Sequence, residues 1–77
     1  MNLALIGYGK MGKIIEEMAI SRGHIIVGKC TSKNPIESLD FSNVDVAIEF
    51  TAPHFAVGHI EHCVRNNTPV IVGTTAW

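Results

Sequence analysis

The sequence predicts an α/β fold in which a parallel sheet of about four strands carries helices on its faces. Three observations support this prediction: short apolar runs recur along the 77 residues, amphipathic stretches separate them, and a glycine-rich loop follows the first run. Runs without polar alternation are typical of parallel strands that are covered on both faces. A chain of this length forms one small domain at most and buries only about 60% of the surface that its unfolded form exposes.

The first half of the chain predicts strand, helix and strand. Residues 2–6 are apolar after Asn2 and stop at Gly7, which indicates a buried first strand. Residues 10–22 predict an amphipathic helix, with Gly23 as its natural end. The side chains predicted to face the sheet recur at helical spacing: Met11, Ile14, Ile15, Met18 and Ala19. Residues 25–29 predict the second strand.

The second half predicts a polar connection, a strand, a helix and a short last strand. In the connection, residues 31–43, the run Asn34-Pro35-Ile36-Glu37 resembles a capped single helical turn. Residues 44–50 predict the third strand and residues 70–72 the fourth. The helix between them frays near residues 66–67, and its predicted inner stripe comprises Pro53, Ala56, Val57, Ile60, Cys63 and Val64. By analogy with mononucleotide-binding halves, we expect the spatial strand order 3-2-1-4.

The composition excludes several classes of protein. The chain is 47% hydrophobic and 17% charged with a formal net charge of -1, so we expect a folded domain that binds neither nucleic acid nor an anionic membrane. The apolar run at the start breaks at Gly7, which is too early for a signal peptide or a membrane span. Cys30 and Cys63 lack metal-ligand spacing, so we interpret them as packing residues in a reduced, cytoplasmic setting.

A glycine-rich loop, Gly7-Tyr8-Gly9-Lys10-Met11-Gly12, joins the first predicted strand to the first predicted helix. In this context the G-x-G-x-x-G pattern indicates a Rossmann-like half domain that binds a dinucleotide. Gly7 permits the tight turn, Gly9 leaves room for the pyrophosphate, and Gly12 lets the helix approach the first strand. The helix N-terminus then offers N–H groups to the phosphates. The alternative is a strand-to-helix turn whose glycines are accidental.

The residues after the second strand bear on the choice of cofactor. NAD-binding folds place an acidic residue about 20 positions after the glycine loop, where it binds the ribose 2′-hydroxyl. This chain has Ser32 and Lys33 in that region and no carboxylate. A hydroxyl and a cation suit the additional 2′-phosphate of NADP, so we predict NADPH, with NADH possible. The alternative is that Lys33 is an ordinary solvated loop lysine.

Two further clusters follow the third and fourth predicted strands. Phe50 and Thr51 come after the third, and Gly73, Thr74 and Thr75 after the fourth. Ligands of open α/β sheets bind outside the carboxyl ends of the strands, where the strand order reverses, and we expect this point between strands one and four. We therefore predict that both clusters contact the cofactor. Turn and capping chemistry is the alternative for each.

Three histidines and two carboxylates of the second half of the chain could carry other chemistry. His54, His59 and His62 lie on or near one face of the second helix without a cysteine or carboxylate to complete a zinc site, so we expect solvated histidines and no metal. Glu49 and Asp45 share a strand face but have no evident acid or base task. No proton donor for a reduction is apparent, so we predict no catalytic residue within this chain.

Residues 6–12, 49–53 and 72–77 together resemble the 4-hydroxy-tetrahydrodipicolinate reductases, the dihydrodipicolinate reductases of bacterial lysine biosynthesis. Members of this family reduce the cyclic product of the preceding synthase step with NADH or NADPH and typically form tetramers. The resemblance implies that the loop from Gly7 to Met11 contacts the pyrophosphate, and that Phe50 and residues 73–75 line the ribose and nicotinamide side. Ser32-Lys33 falls where many members have an acidic residue followed by arginine. The catalytic histidine and lysine and the substrate-binding segment of the family lie in a later domain.

The resemblance implies that residues 1–77 are the N-terminal NAD(P)-binding domain of a longer reductase, truncated before its catalytic domain and inactive alone. The small-molecule substrate would then bind only to the full-length protein. Two alternatives stay open: another nicotinamide-dependent oxidoreductase with a similar N-terminal fold, and a non-catalytic module that binds CoA or ADP. An apolar sheet edge at the fourth strand would favour homo-oligomers.

Overall fold

Four parallel strands and two helices carry the fold of this protein, which is described by a computed structural model. The structure describes residues 1–31, 33–51 and 53–73, with the backbone alone at residues 53 and 54. The elements are β1 (Asn2–Ile6), α1 (Lys10–Ser21), β2 (Ile25–Cys30), β3 (Val46–Glu49), α2 (Pro53–Arg65) and β4 (Val70–Val72). The predicted α/β class is therefore confirmed. Ser32, Thr74 and Thr75 lie outside the described residues.

The order of the strands differs from the prediction. The sheet runs β2-β1-β3-β4, so the expected order 3-2-1-4 is wrong: β3 pairs with β1 and not with β2. The connection from β2 to β3 contains two short 3₁₀ turns, Ile36–Ser38 and Phe41–Asn43, which cross the face of β1 and deliver β3 to its far side. The sequence of such a connection does not indicate how many strands it crosses. The strand order therefore reverses between β1 and β3.

One face of the sheet carries the main core. The connection and α2 cover this face, as right-handed crossovers require once β3 lies beyond β1. The buried cluster consists of Ala4, Ile6, Cys30, Ile36, Phe41, Ala47 and Cys63, with Leu39, Val44 and Val70 packed against it. Because side chains alternate along a strand, Leu3 and Leu5 point to the opposite face, which α1 covers. The packing role predicted for Cys30 and Cys63 is confirmed.

Helix α1 contacts the sheet through a narrower face than its sequence predicts. Gly12 and Ala19 are buried, whereas Met11, Ile14 and Met18 are between 52% and 60% exposed. The prediction that these three side chains face the sheet is wrong. Gly12 and Ala19 face the sheet instead and let the helix lie close to it, so the larger side chains project to the side of the helix. The helix ends as predicted, with Gly23 at a φ of 85°. Within the described residues, neither helix has the length and apolar character of a membrane span.

Candidate functional site

The carboxyl ends of the four strands meet along one edge of the sheet, and the loop residues there are tied together by backbone hydrogen bonds. The N–H of Gly7 donates to the carbonyl of Cys30 at 2.8 Å, that of Phe50 to Ile6 at 3.1 Å, and that of Gly73 to Glu49 at 2.6 Å. The glycine loop, the residues after β3 and Gly73 after β4, which belong to three of the four clusters predicted from the sequence, are thus adjacent. Because β3 lies beside β1, Phe50 and Thr51 are the immediate neighbours of the glycine loop.

The glycine loop is tightly enclosed at both ends and open in the middle. Gly7 has a φ of 102°, and a Cβ atom added there would lie 3.0 Å from Thr51 Cγ2. A Cβ atom on Gly12 would lie 3.3 Å from the carbonyl oxygen of Gly7, which shows how closely α1 approaches the end of β1. At Gly9 a Cβ atom would meet nothing within 4 Å. The open middle is the part of the loop where a ligand has room to approach the backbone.

The start of α1 directs backbone donors at this opening. The first helical hydrogen bond runs from the N–H of Lys13 to the carbonyl of Gly9 at 3.1 Å. The N–H groups of Lys10, Met11 and Gly12 therefore precede any acceptor within the helix. Such groups carry a partial positive charge that favours anions, and the exposed Lys10 adds a full charge beside them.

Phe50 lies against the glycine loop. Its ring atoms come within 3.4 Å of a Cβ position on Gly7 and within 3.2 Å of one on Gly12. The ring therefore packs on the loop backbone and supports its shape, which the sequence did not predict. The contact between Phe50 and the cofactor stays a prediction, as do the contacts of Gly73, which is exposed beside Phe50 with 3.7 Å between its Cβ position and Phe50 Cβ.

A cleft of about 910 Å³ opens beside the loop, between the β2–β3 connection and α2. Gly7, Tyr8 and Thr51 form its end at the glycine loop. The remaining lining residues are Cys30, Thr31, Pro35, Ile36, Glu37, Phe55, Gly58, His59, Glu61, His62 and Arg65. Apolar walls with a few charged groups at the rim are typical of a site for a flat organic ligand.

Lys33, one of the two residues predicted to select the cofactor, follows closely after Thr31, which lines the cleft. Thr31 forms a tight turn after β2, in which its Oγ1 atom accepts hydrogen bonds from the N–H groups of Lys33 and Asn34, both at 3.1 Å. Lys33 is exposed, so its ammonium group is accessible to solvent. Ser32 lies outside the described residues. The proposed contacts of both side chains with a 2′-phosphate stay predictions.

A buried carboxylate lies next to the loop on the side of α2, in what we call the Glu49 cluster: Glu49, Thr51 and His59. Glu49 is fully buried, and its Oε1 atom accepts hydrogen bonds from the N–H of Thr51 at 2.5 Å and the hydroxyl of Thr51 at 2.6 Å. Its Oε2 atom lies 2.7 Å from Nδ1 of His59. No task for Glu49 is apparent from the sequence. The available signal was a charged residue that ends an apolar strand two positions before Thr51.

A second carboxylate contacts the loop from the side of α1, in what we call the Glu16 cluster: Tyr8, Glu16 and Lys29. The hydroxyl of Tyr8 donates to Glu16 Oε1 at 2.5 Å, and Lys29 Nζ lies 2.8 Å from Glu16 Oε2. The same Nζ atom lies 4.4 Å from the centroid of the Tyr8 ring. The hydrogen bond from Lys29, with that from Tyr8, lowers the pKa of Glu16, and the bond to Glu16 raises the pKa of Lys29 and of Tyr8.

The histidines of α2 are not solvated as the sequence predicts. The side chain of His59 is 17% exposed and is held by Glu49, and the ring of His62 packs 5.4 Å from that of Phe41. The expectation is therefore wrong for both, because Glu49 at the end of β3 binds His59 and Phe41 of the β2–β3 connection packs against His62. The side chain of His54 lies outside the described residues. Among the residues that the structure describes, no three metal-ligating side chains converge on one point.

In fold and site, the chain is a parallel α/β domain with a glycine-rich loop between its first strand and first helix. It belongs to the dihydrodipicolinate reductase family: residues 1–77 match the family described as "Dihydrodipicolinate reductase, N-terminus". The resemblance stated from the sequence motifs is therefore confirmed.

Individual relatives carry the same name. The chain is 43% identical over 77 residues to the 4-hydroxy-tetrahydrodipicolinate reductase of Christiangramia forsetii, an overlap that covers 100% of this chain and 32% of that protein. It is 34% identical over 83 residues to the reductase of Staphylococcus epidermidis, which covers 97% of the chain and 34% of the relative. The reductase of Rickettsia rickettsii is 34% identical over 79 residues, with 97% and 33% covered. The chain thus spans about a third of the length of the curated relatives that it matches.

Proposed function

We propose that this chain binds a nicotinamide dinucleotide at the carboxyl edge of its sheet and is the cofactor-binding part of a 4-hydroxy-tetrahydrodipicolinate reductase. One observation carries the proposal: the open glycine loop after β1 adjoins Phe50 and Thr51 after β3 and lies near Gly73 after β4, and it forms the end of a cleft of about 910 Å³. Membership of the reductase family supports the same assignment. The bound dinucleotide would supply a hydride, and the residues of this chain would hold it in place.

The geometry suggests how the cofactor lies. The pyrophosphate would sit over Gly9, where the backbone is open and the first N–H groups of α1 point outward. The adenosine half would enter the cleft, whose apolar wall includes Ile36 and the ring of Phe55. The nicotinamide half would then extend toward Phe50 and residues 73–75. The cofactor would then lie across the point between β1 and β3 where the strand order reverses. Open α/β sheets usually bind their ligands at such a point.

A matched pair of glycine variants tests this placement. Gly9→Ala adds a methyl group that meets nothing within the protein, so we expect unchanged stability and an NADPH affinity reduced about tenfold or more, by calorimetric titration. Gly7→Ala is the control for loop structure: at a φ of 102° and 3.0 Å from Thr51, the added methyl group should cost about 1–2 kcal/mol of folding free energy. Undiminished NADPH binding by Gly9→Ala would contradict the site.

Titration with NADPH, NADH and CoA separates the proposed function from its alternatives. We expect NADPH to bind more tightly than NADH, since Ser32 and Lys33 replace the carboxylate that would hold a 2′-hydroxyl. Ser32→Asp should shift the ratio of the two affinities toward NADH, because the new carboxylate repels a 2′-phosphate. An unchanged ratio would remove Ser32 from cofactor selection. Binding of CoA alone would replace the reductase function by that of a CoA-binding module.

The remaining parts of the proposal concern the whole protein. We propose that it reduces its substrate in lysine and diaminopimelate biosynthesis, in the cytoplasm, with catalytic and substrate-binding residues outside residues 1–77. Homo-oligomers form part of the proposal: β4 lies at one end of the strand order, and Ile71 is 60% exposed there. Sedimentation should show a mass that rises with protein concentration. A single monomeric species at high concentration would contradict self-association.

A further inference from the structure

Glu49 has a more specific task than closing the end of β3. Its side chain is fully buried, and a carboxylate in that position is costly unless donors surround it. Three donors do so within 2.7 Å: the N–H and the hydroxyl of Thr51, and Nδ1 of His59. Two of the donors belong to the turn after β3, and the third belongs to α2. The carboxylate therefore fixes the position of α2 relative to the turn that supports the glycine loop.

The same contact determines which edge of the His59 ring faces the cleft. A carboxylate oxygen 2.7 Å from Nδ1 requires the proton on that nitrogen. The other ring nitrogen, Nε2, diverges from the carboxylate, and His59 lines the cleft together with Tyr8 and Thr51. Carboxylates that bind one nitrogen of a histidine commonly set its tautomer and ring orientation for a ligand at the other.

The surroundings of His59 fit an aromatic, hydrogen-bonding ligand. The ring of Phe55 lies nearly parallel to that of His59, with centroids 6.4 Å apart and an interplanar angle of 19°, and both rings line the cleft. A flat apolar surface that carries one polar ring atom suits a nucleoside, whose base stacks and whose amino and hydroxyl groups donate hydrogen bonds. In its neutral form with the proton on Nδ1, the His59 ring has Nε2 as an acceptor for such a group.

We propose that Glu49 is a positioning residue for nucleotide binding, which holds His59 so that Nε2 accepts a hydrogen bond from the adenosine half of the cofactor. This inference rests on the proposed function. It assigns a task in ligand binding to two residues outside the predicted cofactor site, and it links that task to the buried carboxylate and not to the glycine loop.

Glu49→Gln tests the inference without removing the side chain. The amide oxygen of glutamine can still accept from Thr51, but its NH₂ group donates toward Nδ1 of His59, which must then lose its proton. The tautomer reverses, and Nε2 becomes a donor. We expect ¹⁵N NMR of the unliganded protein to place the His59 proton on Nδ1 in the wild type and on Nε2 in the variant. An unchanged tautomer in Glu49→Gln would mean that Glu49 does not determine which nitrogen of His59 carries the proton, and that result would overturn the inference.

Affinity for 2′,5′-ADP, which carries the adenosine half alone, provides the second readout. We expect Glu49→Gln to bind it about tenfold more weakly than the wild type, the loss of one good hydrogen bond. Glu17→Gln, the same exchange at an exposed position of α1, is the matched control and should bind within about twofold. His59→Asn retains an N–H donor near Nδ1 but has no atom at Nε2, so it should show the same weakening and serves if Glu49→Gln does not fold.

The failure of this inference differs from that of the proposed function. A wild-type protein without affinity for NADPH and 2′,5′-ADP would overturn both. If the wild type binds 2′,5′-ADP and both Glu49→Gln and His59→Asn bind it with the same affinity, only the role of Glu49 and His59 would be overturned. Weaker binding by both variants, together with the reversed tautomer in Glu49→Gln, supports the inference.

Discussion

The glycine loop is held by two carboxylates that lie on opposite faces of the sheet and differ in their exposure to water. In the Glu49 cluster the carboxylate is fully buried and its histidine partner is 17% exposed. In the Glu16 cluster the carboxylate side chain is 19% exposed and its partner, Lys29, is 38% exposed. Both carboxylates accept short hydrogen bonds from a residue of the loop or of the adjoining turn.

The hydrogen bonds of the two clusters are similar, but their contributions to folding stability differ. Water competes for every partner in the Glu16 cluster, and ion pairs that water can reach contribute little to stability. The buried Glu49 has no water to replace a lost partner, so each donor left unpaired would cost about 1–3 kcal/mol. We infer that the Glu49 cluster fixes the turn after β3, whereas the Glu16 cluster adjusts the position of Tyr8.

The largest effect is expected on removing the buried carboxylate. Glu49→Ala leaves three polar groups without their partner inside the protein, so the free energy of unfolding should fall by about 3 kcal/mol. For a small domain this loss is comparable to the whole stability, and urea denaturation should find the variant largely unfolded. Glu49→Gln, which keeps the shape and most hydrogen bonds, should lose only about 1 kcal/mol. Equal stabilities of Glu49→Ala and the wild type would mean that the site is solvated.

An intermediate effect concerns a thiol that reports on the charge of Glu49. Burial and, after it, the nearby charge of Glu49 raise the pKa of Cys63 to about 11. Alkylation of Cys63 should accelerate only well above pH 9, measured with Cys30→Ala so that a single thiol reacts. Since the unfolded thiol ionises from about pH 9.0 while the folded one stays neutral, this contribution to stability is complete below pH 9.0 and is lost as the pH rises toward 11.

In Glu49→Gln the alkylation profile of Cys63 should shift to lower pH yet stay above that of an exposed thiol, because burial is the larger cause. The corresponding exchange in the exposed cluster, Glu16→Gln, should leave the profile in place. A shift of equal size in both variants would show that Cys63 responds to loosening of the fold and not to the charge of Glu49.

The smallest effect is expected in the exposed cluster. The pKa of Glu16 is lowered by its hydrogen bonds from Lys29 and Tyr8, so its contribution to stability is present above the ordinary pKa of about 4.5. That contribution is lost as the pH falls through the lowered value. The melting temperatures of the wild type and Glu16→Gln should therefore differ slightly at neutral pH and converge in acid. Added salt should reduce the difference, and a difference that survives high salt would place Glu16 in a drier environment.

Most elements of the fold were predictable because their signals are local. Apolar runs and helical spacing predict all four strands and both helices, and β4 spans the predicted residues 70–72. Gly23 was identifiable as a helix end since few other residues adopt its positive φ. The strand order was not predictable. The same β2–β3 connection could place the third strand beside β2 or on the far side of β1, and its local sequence does not distinguish the two positions.

The candidate site likewise has one part that was predictable from local sequence and another that depends on tertiary contacts. The glycine loop was apparent from its motif, and the structure adds that Phe50 and Thr51 pack against it. The Glu49 and Glu16 clusters were not apparent, because each joins residues from different elements. Glu49 and His59 are ten positions apart, and Glu16 and Lys29 face each other only once α1 lies on β2.

The sequence by itself determined the class of fold, the loop that defines the proposed cofactor site and the family to which the chain belongs. These properties depend on residue types at short, fixed spacing, which the backbone converts directly into turns, helices and strands. Only the tertiary structure decided which side of β1 receives β3, which face of α1 is covered, and that a carboxylate at the end of β3 is buried beside a histidine. Those outcomes depend on packing between distant segments, because burial decides whether a charged side chain is solvated or must find partners within the protein.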